Sequence, residues 1–596
     1  MSDQTHTSPG APFRLRRATD SLRALGGMAF VVAMVCALPM VAVAIAALSG
    51  GTDTVAHLAG TVLGRYSLTT LILVVLVSSG TFAIGVGAAW LVTMTRFPGV
   101  RFFEVALVLP LAFPAYVLAY AYTHVLDHPG IVQSLLRDVT GWGARDYWFP
   151  EVRSVGGAAA MLVLVLYPYV YLLARAAFLQ QSATTFLAAR ALGSSAWSAF
   201  FRISLPLARP AIAGGVLLAV METIADFGTV AYFGVQTFAT GIYTSWFSMG
   251  DRAGAAQLAL CLLSFALLLA MLERAQRGRA QFYDPARRQQ PMEPARLRGR
   301  QAAFAMALCA VPVLLGAVLP IIILFSMALG SEQNLLSPRY IGFISNSLIL
   351  ASVAAGVTVL AAICVGFFLR LRLGRQARTA AYVARLGYAV PGGVIAVGLL
   401  VPFAAFDNAL DAFMRAQFDF STGLLITGSI WLLVAAYMVR FLAAALGAYE
   451  GGQALVPANM DAAARSLGQT PGGTLRRVHL PILAPSLLTA LLIVFVDVMK
   501  ELPATLIMRP FNFDTLAVQA YRLASDERLE GAAVPSLVIV AIGVLPVILI
   551  CRQVGRQRKD EGRRISPTTL RTVIPDLARL RPVSPCTCRA ALCRRG

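Results

Sequence analysis

Apolar residues gather along this chain in long runs separated by short polar stretches. Six runs lie near 24–48, 68–94, 103–126, 155–179, 208–234 and 254–272, and six more near 303–329, 345–369, 380–405, 422–447, 482–507 and 533–551. A helix needs about 20 apolar residues to cross the hydrocarbon of a bilayer, so each run predicts a membrane-crossing helix. The expected fold is an all-α polytopic membrane protein of about twelve spans in two six-helix halves. Its parts would be a tail (1–22), a first half (23–273), an arginine-rich linker (274–301), a second half (302–551) and a second tail (552–596).

Composition agrees. Hydrophobic residues make up 58% of the chain and charged residues 13%, whereas a soluble domain carries about 25% charged residues to cover its surface. Membrane lipid is therefore the expected surrounding. The formal charge of +21 does not point to nucleic acid, because the arginines sit in short clusters between apolar runs and not on one face of a soluble domain. Their placement gives orientation instead. Eight arginines between positions 274 and 300, the cluster Arg370, Arg372, Arg375 and Arg378, and another cluster from Arg552 all fall on one side. Asp127, Asp138, Asp146 and Glu151 outnumber three arginines in a segment on the other side. Both termini are expected to be cytoplasmic. The first run, roughly 25 residues long after Arg14, Arg16, Arg17 and Arg23, exceeds the apolar core of a secretory signal and reads as a retained span.

Cysteine and histidine add little. Cys36, Cys261, Cys309, Cys364 and Cys551 lie in or at the ends of apolar runs and read as small hydrophobes. Cys586, Cys588 and Cys593 lack the paired spacing of a zinc site, in a tail that reads as disordered. His6, His57, His124, His128 and His479 form no ligand pair except the closely spaced His124 and His128, which read as solvated.

The halves repeat. Residues 188–193 read AARALG and residues 463–468 read AARSLG, an offset of 275. Without a gap, Arg202 then meets Arg477, Leu205-Pro206 meets Leu480-Pro481, Glu222 meets Asp497 and Asp226 meets Glu501. With six spans per half the copies share one orientation, which predicts a pseudo-twofold axis along the membrane normal and a pathway between the halves.

Each copy of the motif falls between the fourth and fifth span of its half, on the expected cytoplasmic side. It combines a short amphipathic helix, a glycine that permits a tight turn, a second helical stretch, and a proline suited to the first turn of the next span. An ordinary interfacial helix is the plain alternative. In Ala188-Ala189, Gly193 and Ile203-Ser204-Leu205-Pro206, and in Ala463-Ala464, Gly468 and Leu480-Pro481, these segments resemble the EAA coupling loop of importer permeases of the ATP-binding-cassette superfamily. Leu187 and Ala462 stand where that family has its glutamate, and Val478 stands for its isoleucine. The resemblance implies a bacterial inner-membrane permease working by alternating access, with a periplasmic substrate-binding protein and two ATPase subunits as partners. Arg190, Arg202, Arg465 and Arg477 would line the ATPase docking surface or anchor the interface. A glycine-rich nucleotide cradle is missing from the sequence, so ATP is expected on the partners, with no cofactor and no enzymatic activity on this chain. Asp226-Phe227-Gly228 matches a kinase tripeptide by coincidence.

Charge inside the runs is the remaining clue. Glu222 and Asp226 are four apart, and Asp497, Lys500 and Glu501 are spaced by three and four, so each set is expected on one helix face. Uncompensated charge at mid-bilayer costs at least about 2.5–3.5 kcal/mol. These groups therefore form an interhelical clamp, with Lys500 neutralising an acid, or line a translocation path suited to a cation. The segments METIADFGTVAYFG from Met221 and DVMKELPATLIMRPFNFDTLA from Asp497 are similar to fused ferric-iron permeases. Thiamine, aminoethylphosphonate and polyamine permeases share the loop and architecture. A twelve-span secondary transporter is the alternative of a different class.

Overall fold

The computed structural model describes residues 11–143, 145–179, 181, 191–277, 294–334, 336–371, 374–454 and 456–564. Among them, eleven helices are long and apolar enough to cross a membrane, and one bent pair fills a twelfth position. In chain order, spans 1 to 6 are Leu25–Ser49, Ala56–Met94, the pair Val100–Ala112 and Ala115–Thr140, Val155–Leu179, Phe200–Ala225 and Arg252–Leu272. Spans 7 to 12 are Arg300–Leu329, Pro338–Leu371, Gly392–Phe418, Ile430–Gln453, Pro471–Met499 and Leu529–Leu549.

Four runs depart from the sequence expectation through one cause, interruption of the helical hydrogen-bond ladder. The straight span expected over 103–126 is a pair bent by 91° at Phe113-Pro114. The span expected over 380–405 begins instead at Gly392, after a separate helix, Arg375–Leu386. Pro114 and Pro391 have extended backbones (ψ 139° and 146°). Proline lacks the N–H and drives the preceding residue out of the helical region. The runs expected over 208–234 and 482–507 also break, after Ala225 and Met499, and restart as the short helices Gly228–Tyr232 and Pro503–Met508.

Packing is equivalent in the two halves. Span 4 lies between spans 2 and 5, and span 10 lies between spans 8 and 11. Small residues permit the close approach: a Cβ on Gly85 or Gly215 would come within 2.7 or 2.8 Å of Val170 on span 4, and one on Gly366 within 2.3 Å of Tyr449 on span 10. The first span of each half reaches the other half. Span 1 packs against spans 8 and 9, where Gly398 touches the backbone of Pro39, and also against span 6 of its own half, where Gln257 donates to the Ala47 carbonyl (3.3 Å). Span 7 packs against spans 3 and 4, where the Tyr122 hydroxyl donates to the Leu315 carbonyl (2.6 Å).

Two-residue strands, Thr95–Arg96 and Ala295–Arg296, pair in parallel, and Leu297 N donates to the Arg96 carbonyl (3.0 Å). This pairing puts the lead-in to span 7 and the turn between spans 2 and 3 on one face of the molecule. By span parity the repeated motifs lie on that same face, called the linker face below. The predicted tails lie partly and the core of the predicted linker wholly outside the described residues (1–10, 278–293 and 565–596), as do Cys586, Cys588 and Cys593.

Candidate functional site

The 275-residue repeat is kept in three dimensions. Gly193 and Gly468 both adopt a left-handed backbone (φ 87° and 74°). A π-helical turn covers Phe200–Ser204 in the first half and Leu475–His479 in the second, 275 positions on. The helix runs on through each π-turn without a break, so Pro206 and Pro481 lie inside spans 5 and 11 and not in a first turn as expected. A π-turn just before each accommodates the missing N–H. Ala188, Ala189 and Arg190 lie outside the described residues.

The second motif shows how its turn is made. Helix Ala458–Ser466 ends with Gly468 N donating to the Arg465 carbonyl (2.9 Å) and Gln469 N to the Ala464 carbonyl (3.0 Å), a Schellman closure that requires a left-handed residue. Ala464 is buried beneath it, while Ala463, Arg465 and Arg477, like Arg202 in the first half, are exposed. At the tips, Leu192 and Leu467 are 87% and 81% exposed at equivalent positions. An apolar knob standing in the open in both copies marks a contact surface.

Asp461 anchors this helix. Its carboxylate accepts from Arg370 Nε at the end of span 8 (2.7 Å) and from His479 Nε2 at the mouth of span 11 (2.7 Å). Arg370 also donates to the Val456 carbonyl (2.9 Å). Burial alone would raise the Asp461 pKa, but Arg370 and His479 outweigh it and hold the carboxyl below its ordinary value. Asp461 is thus turned inward, tying the motif to two spans.

At the seam between the halves, the breaks in spans 5 and 11 are built alike. Asp226 accepts from the backbone of Thr229 (3.1 Å) and Val230 (3.2 Å) and from the Thr229 hydroxyl (3.0 Å). Glu501, 275 positions on, accepts from the backbone of Ala504 (3.0 Å) and Thr505 (3.1 Å) and from the Thr505 hydroxyl (2.8 Å). Each carboxylate satisfies the orphan N–H groups of a short helix. Asp226 and Glu501 therefore stand at breaks, not on the helix faces expected to carry Glu222 or Asp497.

Arg440 of span 10 bridges the halves. It reaches Glu501 Oε1 (3.3 Å) and, across the seam, Glu222 Oε2 (3.5 Å). Lys500 pairs with Asp497 (2.9 Å) three residues back at the end of span 11, a local pair and not a link between helices. These six charged residues line one half-open recess of about 80 Å³, together with Pro114 and Tyr116 at the bend of span 3. The buried hydroxyl of Tyr116 has no hydrogen-bond partner. Arg440 was missed in the sequence, although an arginine inside the run of span 10 is a strong signal of a buried charge network. The tip leucines were passed over because a leucine in an amphipathic helix reads as inward-facing. No group of three or more His, Cys, Asp or Glu side chains able to hold a metal occurs among the described residues.

Two homologous six-span bundles, each with a repeated turn on one face and a charged seam between them, define a membrane permease. The family model of the binding-protein-dependent transport system inner membrane component matches residues 81–280 and 359–559, and the chain belongs to that family of ATP-binding-cassette importer permeases. It is 25% identical over 489 residues to an Fe(3+)-transport system permease protein of Haemophilus influenzae, covering 81% of this chain and 88% of the relative. A ferric transport system permease protein of Actinobacillus pleuropneumoniae is 24% identical over 74% of this chain and 64% of its own length. The molybdenum transport system permease protein of Escherichia coli is 30% identical over 32% of this chain and 81% of its own length.

Proposed function

We propose that this chain is the transmembrane subunit of an ATP-driven ferric-iron importer of the bacterial inner membrane. A periplasmic binding protein would deliver the cation to the face opposite the linker face. Two ATPase subunits would dock on the linker face, in the cytoplasm together with both termini. ATP sits on those subunits, and this chain holds no cofactor of its own.

The charge balance of the recess carries the substrate reading. Four carboxylates (Glu222, Asp226, Asp497 and Glu501) meet two cations (Arg440 and Lys500) where the halves join, an excess of negative charge suited to a hard cation that prefers oxygen ligands. Asp226 and Glu501 are taken up in holding helix ends. Among the described residues, Glu222 and Asp497 are held only by the side chains of Arg440 (3.5 Å) and Lys500 (2.9 Å), and are the acids a passing ion would draw from their partners. Similarity to ferric permeases over most of the chain supports iron over the other cations that such a lining would suit.

Coupling is assigned to the repeated turns. Leu192 and Leu467 would seat in clefts of the ATPase subunits, while Arg202, Arg465 and Arg477 ring them with positive charge. The Asp461 anchor then passes motion of helix Ala458–Ser466 to spans 8 and 11.

Uptake into proteoliposomes tests the assignment. The chain, its ATPase and its binding protein should together accumulate ferric iron when ATP is enclosed with the ATPase, and should leave molybdate and thiamine outside. ATP-driven uptake of one of those solutes in place of iron would reassign the substrate. Uptake driven by an ion gradient without the ATPase would overturn the permease mechanism.

A further inference from the structure

On the face opposite the linker face, each half carries a helical arm with an apolar row turned outward. In the first half, helix Ile131–Thr140 is the last part of the bent span 3, set off from helix Ala115–Leu126 by a break at 127–130. Its polar side is turned into the protein. Gln133 donates to the Leu126 carbonyl (2.9 Å) and accepts from the Tyr147 hydroxyl (2.8 Å), while Arg137 donates to that hydroxyl (3.0 Å) and to the His128 carbonyl (3.1 Å). Its apolar side points away: Ile131, Leu135 and Val139 are 61%, 60% and 76% exposed. Trp142 and Trp148 follow, also exposed. A helix at a water-facing surface buries its apolar stripe and shows its polar one; this helix does the reverse.

The second half carries a comparable outward apolar row in a different sequence, beside exposed Asn408 and Arg415. The end of span 9 aims Asp407 and Asp411 inward, where they accept from the backbone of Thr427 (2.8 Å) and Gly423 (3.0 Å). It leaves Phe406 and Phe413, seven apart, on the outward side. Span 9 is one unbroken helix to Phe418, so this outward row continues the span's own surface. The exposure of both rows matches that of Met34 and Ile45 (73% and 63%) on span 1.

We infer that these two arms, residues 131–148 and 406–418, lie in the headgroup–acyl boundary of the leaflet on that face and bind phospholipid. The segment 127–153, expected from its charge to lie on the side opposite the arginine clusters, is then partly embedded. Lipid is the occupant favoured over a docking protein for two reasons. A binding protein that comes and goes would leave both rows facing water between visits, whereas large apolar patches on water-facing surfaces are rare. Tryptophans flanking an aliphatic stripe also suit the interfacial belt. Each arm continues from a helix that begins at the recess, so the lipid contact would brace the outer ends of spans 3 and 9. The inference is independent of which solute is carried.

Site-specific photocrosslinking tests it. The substitutions Leu135→p-benzoylphenylalanine, Val139→p-benzoylphenylalanine and Phe413→p-benzoylphenylalanine would be made in the full chain, with Met34→p-benzoylphenylalanine as the reference. Each is purified with the ATPase and reconstituted in phosphatidylethanolamine–phosphatidylglycerol vesicles. After irradiation, mass spectrometry should find phospholipid adducts at 135, 139 and 413 with yields within about twofold of position 34, unchanged when binding protein is added. Adducts to the binding protein would assign the arms to docking. Lipid adducts at 34 alone would place the arms in water. Either result overturns the inference, and two sites on the first arm keep it testable if one variant fails to accumulate.

Discussion

Arg153 and Glu527 face each other in a bidentate pair, with Nη1 and Nη2 at 2.7 and 2.9 Å from the two carboxylate oxygens. One belongs to the segment before span 4 and the other to the segment before span 12, so the pair joins the halves on the face opposite the repeated turns. Asp127 (3.1 Å) and the ring of Tyr232 (5.1 Å) hold the same guanidinium.

Breaking this pair should change gating more than stability. Both side chains are substantially exposed, and exposed pairs contribute about 0–1 kcal/mol. Glu527→Gln is expected to leave the melting temperature within a few degrees of wild type. It should raise ATP turnover severalfold in the absence of loaded binding protein, because the outer face opens more readily. Unchanged turnover in that assay would assign the pair to the fold alone. The hydrogen bond from Arg153 holds the Glu527 carboxyl below its ordinary value. Whatever stability the pair adds is therefore present above the ordinary glutamate pKa and fades as pH falls through the lowered one.

Asp461→Asn removes the charge that ties helix Ala458–Ser466 to spans 8 and 11. Hydrogen bonds to charged groups contribute about 1.5–3 kcal/mol each, so backbone amides of this helix should exchange markedly faster in deuterium while those of span 10 do not. With its folded pKa depressed, Asp461 stabilises the helix above the ordinary aspartate pKa, and that contribution is lost only as pH falls through the lower folded value. The protection factor of this helix, its exchange rate relative to the intrinsic base-catalysed rate, is thus expected to be flat between pH 6 and pH 8 on account of Asp461. A steep change of protection in that window would assign control to another group.

Gly193→Val and Gly468→Val meet no steric obstacle, since nothing lies within 4 Å of an added Cβ at either site. Their cost is in the backbone, about 1–2 kcal/mol for a side chain held left-handed. Membrane insertion should be normal while uptake is lost, and normal uptake in both variants would mean that these turns do not couple.

Glu222→Gln and Glu501→Gln should behave differently. Glu501 is buried and satisfies a helix end, so its loss leaves Arg440 short of a partner, and removing one member of a buried pair costs about 3–5 kcal/mol. Reduced yield and a lower melting temperature are expected. Glu222 is partly open to the recess, so its substitution should slow uptake by an order of magnitude with little change in melting. Equal melting losses in the two variants would return Glu222 to a purely structural role.

Leu192→Asp together with Leu467→Asp should abolish co-purification with the ATPase without altering the fold of the permease. Retained co-purification would move the contact elsewhere on the linker face.

Much of the architecture was legible because hydrocarbon imposes a simple length rule and because duplication leaves matched residues at a fixed offset. The left-handed turns at Gly193 and Gly468 follow from local backbone chemistry, whereas Pro206 and Pro481, expected at helix starts, lie inside helices that π-turns carry past them. The breaks at Asp226 and Glu501 were harder to read, since an acid inside an apolar run looks like one residue on a helix face until its hydrogen bonds to the next turn are seen. The bends at Pro114 and Pro391 had a signal, proline within a run, but proline is tolerated in membrane helices when neighbours satisfy the freed groups. The pairing of Arg440 with Glu222 joins residues 218 apart in different halves, beyond the reach of any periodic pattern.

Span 7 is lodged in the opposite bundle, and span 1 lies between its own span 6 and spans 8 and 9 of the other, which makes the molecule a clasp in which each lobe holds the other's outermost staff. Pulling the lobes apart would strip apolar surface from both staffs at once, which favours a swivel about them over a separation. The peptide connection between the lobes then adds little to their union. A chain cut between 278 and 293 should stay joined through a detergent column and keep carrying solute.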